Sequence, residues 1–267
     1  MRRLLLLLVA VVGLLAAGCG GSHARSETSD YIDRVNAVMA RIGAPLQQVS
    51  DANRAFAKSP GAAKIVPKLV RSQATLRRLR RQLREVDPPP EARKLHALLL
   101  RLVGREEELS GEVLALARFL PRFQAALAPV APASRALGAE LARKKGSPAD
   151  KAAALDAYGT ALAGAEQRLR RLKPPPVSQP VWRQERAMLA AVRTSGAALA
   201  DGLRRKQAKR LPALLHAFDA ASARNRTQAA QRVQIAAVKA YNRRIGELQK
   251  LVLAAGREER RLQGTLG

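Results

Sequence analysis

Apolar residues recur at spacings of three and four through almost the whole of this chain, and that period constrains its fold more than any other feature. Ile32, Val35, Met39, Ile42, Leu46 and Val49 make one seam, and Leu69, Leu76, Leu79, Leu83 and Val86 a second. Leu95, Leu99, Leu102, Leu109, Val113, Leu116 and Leu120 make a third. Such spacing gathers side chains on one stripe of a helix, and the stripe leaves water only by packing against another helix. No stretch alternates apolar and polar residues as a half-buried strand would. The expected fold class is all-α.

A longer repeat overlies this period. The run Leu76-x2-Leu79-x3-Leu83-x2-Val86-x-Pro88-Pro89-Pro90 returns 86 residues later as Leu162-x2-Ala165-x3-Leu169-x2-Leu172-x-Pro174-Pro175-Pro176. Leu69 matches Leu155 upstream, while Leu95, Leu102 and Val113 match Val181, Met188 and Leu199 downstream. Ser59-Pro60 and Ser147-Pro148 precede the two copies, and Leu120-Pro121 is echoed by Leu211-Pro212. Matching heptads alone would not produce two triple prolines, so the pattern reads as an internal duplication. Proline cannot continue a helix but fits its first turn. Each triple proline should therefore end one helix and start the next, leaving the two as antiparallel neighbours.

The architecture expected is an elongated antiparallel helical bundle built from a duplicated helix–Pro-Pro-Pro–helix hairpin. Its parts would be residues 1–18, 19–29, a first repeat over 30–120, a second over 121–210, and a C-terminal helical segment over 211–267. In that last segment Tyr241-x3-Ile245 resembles Tyr31-x3-Val35, and Leu248, Val252, Ala255 and Leu262 continue the seam. Pro129 and Pro132 should break the helix that holds them, and the stripe fades between Arg224 and Gln234, which places a break near Asn225.

The N-terminus has a different organisation. Arg2 and Arg3 precede an apolar run from Leu4 to Ala17, followed by Gly18 and Cys19. A basic start, a short apolar core and small residues before a cut are the layout of a secretory leader. The run is shorter than the roughly 20 residues a spanning helix needs. Cys19 is the one cysteine of the chain, so no intrachain disulfide can form. Together these residues resemble the lipobox of bacterial lipoproteins, with Ala16 standing where that family usually has leucine. The resemblance implies cleavage between Gly18 and Cys19, a diacylglycerol thioether on Cys19, and a place on the extracytoplasmic face of the cell membrane. Two acyl chains, at about 0.8 kcal/mol per buried methylene, would anchor stably. Gly20 to Ser29 lacks apolar periodicity and reads as a flexible tether, averaging about 17 Å and reaching at most about 35 Å.

Charge narrows the partners. The chain carries 48 Lys and Arg against 21 Asp and Glu, and loss of residues 1–18 with Arg2 and Arg3 would leave a net charge of +25. A body so basic is drawn to negative surfaces, and arginine's planar fork suits phosphate and carboxylate. Anionic lipids or acidic envelope polymers are therefore the expected partners. A compositional bias that raises Arg, Ala, Gly and Pro together is the competing explanation of the arginine excess. Nucleic acid is not expected physiologically, given the export signal, an aromatic content of 3% and the lack of a nucleic-acid motif.

The chain offers little chemistry. His23, His96 and His216 lie far apart, and neither His96 nor His216 has a glutamate three residues before it. No HExxH, P-loop, GxSxG or Ser-x-x-Lys motif occurs, so neither enzymatic activity nor a cofactor or metal is expected. Glu106, Glu107, Glu108 and Glu112 form the densest acidic cluster, and Glu106, on the seam, should pair with an arginine from a neighbouring helix. Arg77, Arg78, Arg80, Arg81 and Arg84 form the densest basic cluster. Four of the five matching residues in the second copy, Ala163, Gly164, Glu166 and Gln167, are not basic. These five arginines are the candidate anion-binding patch. Arg204, Arg205, Lys206, Lys209 and Arg210 make a second cluster, and Trp182, aligned with His96, is expected to pack at the second hinge. The function expected is non-catalytic binding or scaffolding by a membrane-anchored lipoprotein. The alternative is an interaction module that accepts a partner helix of an envelope or sensor complex. A small-ligand receptor ranks below both, because transport-associated binding proteins are commonly α/β.

Overall fold

The computed structural model describes residues 23–58, 65–223 and 229–266. Within them lie nine α-helices, two 3-10 turns and no strand, so the protein is all-α. The helices are α1 (His23–Met39), α2 (Gly43–Lys58), α3 (Val66–Arg84), α4 (Arg93–Leu127), α5 (Val130–Ala142), α6 (Pro148–Arg170), α7 (Gln179–Arg204), α8 (Leu211–Ala223) and α9 (Ala229–Leu266). Residues 1–22, with Gly18 and Cys19 among them, and Ser59-Pro60 and Asn225 fall outside the described residues. The described residues form two compact units: those up to 117 with those from 238 onward make one, and those between 118 and 237 the other. Residues 211–267, grouped by sequence as one segment, contribute to both.

In the first unit, α1 begins at His23, inside the stretch read as tether. Thr28 explains the difference. It is buried, as are Tyr31, Val35 and Met39, so the stripe starts one turn earlier on a polar side chain that an apolar reading passes over. The core gathers Tyr31 from α1, Val49 and Ala52 from α2, Leu69, Leu76, Leu79 and Leu83 from α3, Leu102 and Val103 from α4, and Leu248 and Leu262 from α9. Each fully buried aliphatic side chain stabilises the fold by roughly 1.5 to 3 kcal/mol relative to exposure. α3 starts at Val66 with Pro67 in its first turn and no side-chain cap.

The second unit packs the end of α4 with α5, α6, α7, α8 and the start of α9 around Leu120, Phe123, Leu155, Leu162, Leu169 and Leu189. Ser147 caps α6 in a capping box: its hydroxyl accepts the Asp150 N–H and the Asp150 carboxylate accepts the Ser147 N–H. Pro129 stops α4 and Pro132 is accommodated in the first turn of α5, where its missing N–H would have no partner anyway. Pro121 behaves differently from its echo. Pro212 sits in the first turn of α8, whereas α4 runs through Pro121 to Leu127. Leu120 and Phe123, both fully buried, hold the helix on either side of the missing hydrogen bond.

Both triple prolines connect helices as their chemistry requires. Pro89 and Pro175 are extended (ψ 158° and 156°), and a 3-10 turn follows each, over Pro90–Ala92 and Pro176–Ser178. The Ala92 N–H donates to the Pro89 carbonyl at 2.9 Å and the Ser178 N–H to the Pro175 carbonyl at 2.8 Å, with Ala92 and Ser178 fully buried. Partners then run in opposite directions: Gln73 lies against Gly111 and Arg80 against Gly104, while Glu166 meets Arg193 and Asp156 meets Arg204. Both hairpins are antiparallel.

At the end of α7 the Lys206 N–H donates to Leu203 and the Gln207 N–H to Gly202, and Lys206 takes φ 52°. This is the helix stop that usually uses glycine. Gly202 and Gly196 bring α8 close to α7: a Cβ on Gly202 would stand 2.5 Å from Leu214 Cδ1, and one on Gly196 3.3 Å from the Phe218 ring.

Candidate functional site

The five clustered arginines of α3 do not form one patch. Arg77 Nε and Arg80 Nη1 each donate to the Glu107 carboxylate at 3.1 Å, tying α3 to α4. Gly104 makes this possible, because a Cβ there would stand 3.3 Å from the Arg80 guanidinium carbon. The second unit has a looser contact at the matching positions with its charges reversed, where Glu166 is hydrogen-bonded to Arg170 of its own helix at 2.5 Å. Glu166 and Arg193, each 86 residues beyond Arg80 and Glu107, approach to 3.9 Å between α6 and α7. Arg77 and Arg80 thus serve the hairpin. Arg78, Arg81 and Arg84 are exposed and have no acidic partner among the described residues. Arg71 is exposed on the same outward side. Arg81 and Arg84, in the last turn, also complement the negative end of the helix dipole.

The second basic cluster is partly neutralised. Arg204 pairs with Asp156 and Arg205 with Asp201, leaving Lys206, Lys209 and Arg210 exposed.

The acidic cluster of α4 is distributed among separate tasks. Glu107 belongs to the clamp, Glu108 pairs with Arg105, and Glu112 accepts from Arg244 of α9. Glu106 departs from expectation: it is buried and has no arginine partner among the described residues. Burial alone raises its carboxyl pKa to about 8, so the group is largely protonated at neutral pH. The Tyr241 hydroxyl of α9, hydrogen-bonded to Ser50 of α2, is close enough to feel the charge once Glu106 ionises. In the second unit the matching residue is Val192, fully buried.

The two residues aligned after the triple prolines each satisfy a polar group. The Tyr31 hydroxyl lies 3.3 Å from His96 Nδ1, so a donating tyrosine leaves the imidazole proton on Nε2. Burial lowers the His96 pKa, partly offset by Asp87. Trp182 Nε1 donates to the Leu169 carbonyl at 2.9 Å, taking up an end group of α6, and the Arg186 guanidinium lies 4.7 Å from the Trp182 ring centre. Close by on α7, Glu185 is buried and accepts from Arg232 at 2.8 Å.

A groove between α1, α4 and α9 was not foreseen from the sequence. Ile32, Val35, Met39, Leu95, Leu99 and Leu262 form its walls, and it contains about 480 Å³ of space including its open mouth. Tyr31, Asn36 and Glu259 supply its polar groups. Glu259 is 8% exposed, and its Oε1 has no hydrogen-bond partner among the described residues. Its position between Ala255 and Leu262 on the seam of α9 was the available signal. Comparison of this chain with protein-family models, curated proteins and solved structures gives no match.

Proposed function

We propose that the chain is a lipoprotein, anchored through Cys19 on the extracytoplasmic face of a cell membrane, with a binding or scaffolding role and no catalysis. In this reading the outward side of α3 adheres to anionic lipid headgroups or acidic envelope polymers. One observation carries the adhesion: Arg78, Arg81 and Arg84 are exposed without acidic partners among the described residues, whereas Arg77 and Arg80 are committed to Glu107. The recurrence of the hairpin with its ion pair reversed supports descent of the two units from one duplicated segment.

Each basic residue near an anionic surface contributes about 1 kcal/mol, so the three arginines together are worth about 3 kcal/mol, or roughly a hundredfold in affinity. The test uses residues 19–267 with Cys19→Ser, so that lipid does not mask the charge. Co-sedimentation with vesicles containing anionic lipid should weaken roughly a hundredfold when Arg78, Arg81 and Arg84 become glutamine. Unchanged binding would remove α3 from the account. Mass analysis of the N-terminal peptide from native membranes tests the anchor, which requires the added mass of lipid on Cys19.

A further inference from the structure

The groove of the first unit has a composition at odds with the rest of the chain. Among the described residues, no Lys or Arg lines it. Its walls are aliphatic and its one ionisable acid is Glu259, more than nine-tenths buried with an unpartnered Oε1. The neighbouring Glu258 shows that α9 can neutralise a carboxylate where needed, since Lys94 and Arg261 both reach it. Arg260 lies next to Glu259 in sequence but is exposed, and it makes no ion pair with it. A buried acceptor without a donor destabilises the fold, and more so when charged. That cost is removed by a ligand that carries a donor into the groove.

We infer that this groove binds a small amphiphile, an apolar chain or ring bearing a protonated amine, with the apolar part between α1, α4 and α9 and the ammonium donating to Glu259. A partner helix would need an apolar trough several turns long. Charge singles out an amine. Elsewhere on a chain of net charge +27 a cation is repelled and a fatty carboxylate attracted, so only a local acid could reverse the order. Asn36 adds a second polar group that can orient the head. Burial raises the Glu259 pKa, and an ammonium beside it would lower it again, so binding of the amine should strengthen as pH rises through that range. Tyr31 and Asn36 of α1 share the groove with Glu259, α4 adds Leu95 and Leu99 to the lining and His96 behind Tyr31, and Arg260 flanks Glu259 on α9.

The experiment uses residues 19–267 with Cys19→Ser, which retains every described residue, and the fluorescent apolar probe N-phenyl-1-naphthylamine. Dodecylamine and dodecanoate, both below micelle formation, compete for the probe. Dodecylamine should displace it at a concentration at least about tenfold lower than dodecanoate, the factor expected for one charge-assisted hydrogen bond. Glu259→Gln keeps the shape and should abolish the preference while leaving probe binding intact. Ile32→Trp, at a half-exposed wall position, should block both ligands with the helical content unchanged. A carboxylate that competes equally well, a preference that survives Glu259→Gln, or no probe binding by the folded chain would each overturn the inference. None of these outcomes bears on Arg78, Arg81 and Arg84, so the adhesion reading stands or falls separately.

Discussion

Replacing Glu106 by glutamine removes a buried carboxyl whose contribution to stability depends on pH. In the folded chain Glu106 holds its proton up to about pH 8, whereas the ordinary value is 4.5. Between those values the native state binds more protons than the unfolded state, so this group makes stability fall as pH rises. Below the unfolded pKa the penalty vanishes, and above the folded pKa it is complete. At pH 7 the difference spans about 2.5 pKa units, which corresponds to about 3 kcal/mol, and beyond pH 8 it approaches about 5 kcal/mol. Glutamine has the same shape and no charge to bury. Urea unfolding of both proteins, followed by circular dichroism, should therefore show equal stability near pH 4. The variant should be more stable by about 3 kcal/mol at pH 7 and by more at pH 9. Other carboxylates titrate in both proteins and cancel in the difference. A difference that does not change with pH, or a variant less stable than the parent at pH 7, would refute the protonated state and imply that Glu106 is ionised and paired.

Three further outcomes are expected. Lys206→Gly should stabilise the protein by about 1 kcal/mol in urea unfolding, because φ 52° costs a side chain what it does not cost glycine. Trp182→Phe should cost about 1 to 2 kcal/mol through the lost donor to Leu169 and the lost contact with Arg186, and an unchanged midpoint would mean that water replaces both. Arg80→Glu alone should destabilise the first hairpin. The triple change Arg77→Ala, Arg80→Glu and Glu107→Arg, which installs the arrangement of Ala163, Glu166 and Arg193, should recover most of the loss. Failure to recover would mean that the two clamps are not equivalent.

The periodicity and the prolines made much of the fold legible, because both act locally. Leu76, Leu79 and Leu83 declare a helix face, and Pro88 to Pro90 can only interrupt it, so helix existence and the two hinges follow from short stretches. What escaped depends on residues distant in sequence. Thr28 occupies a seam position without being apolar, which hid the first turns of α1. Pro121 looked like a boundary, yet burial of Leu120 and Phe123 outweighs one missing hydrogen bond. The partition of the arginine cluster depends on Gly104 and Glu107, a helix away, and no spacing within α3 reveals it. Glu106 and Glu259 were both visible as acids on an apolar seam. Their environments, formed by α2 and α9 in one case and by α1, α4 and α9 in the other, were not.

Adhesion of a basic helical body to a polyanionic envelope surface is tested by a salt series. Residues 19–267 carrying Cys19→Ser would be mixed with isolated native envelopes and sedimented from low salt to several times physiological ionic strength. Contacts between exposed charges are screened within roughly a Debye length, about 8 Å at physiological ionic strength and about 3 Å at 1 M. Electrostatic adhesion requires binding at low salt that disappears as salt rises, and weaker binding throughout when Arg78, Arg81 and Arg84 are glutamine. Binding that persists at high salt, or that is indifferent to those three arginines, would contradict it.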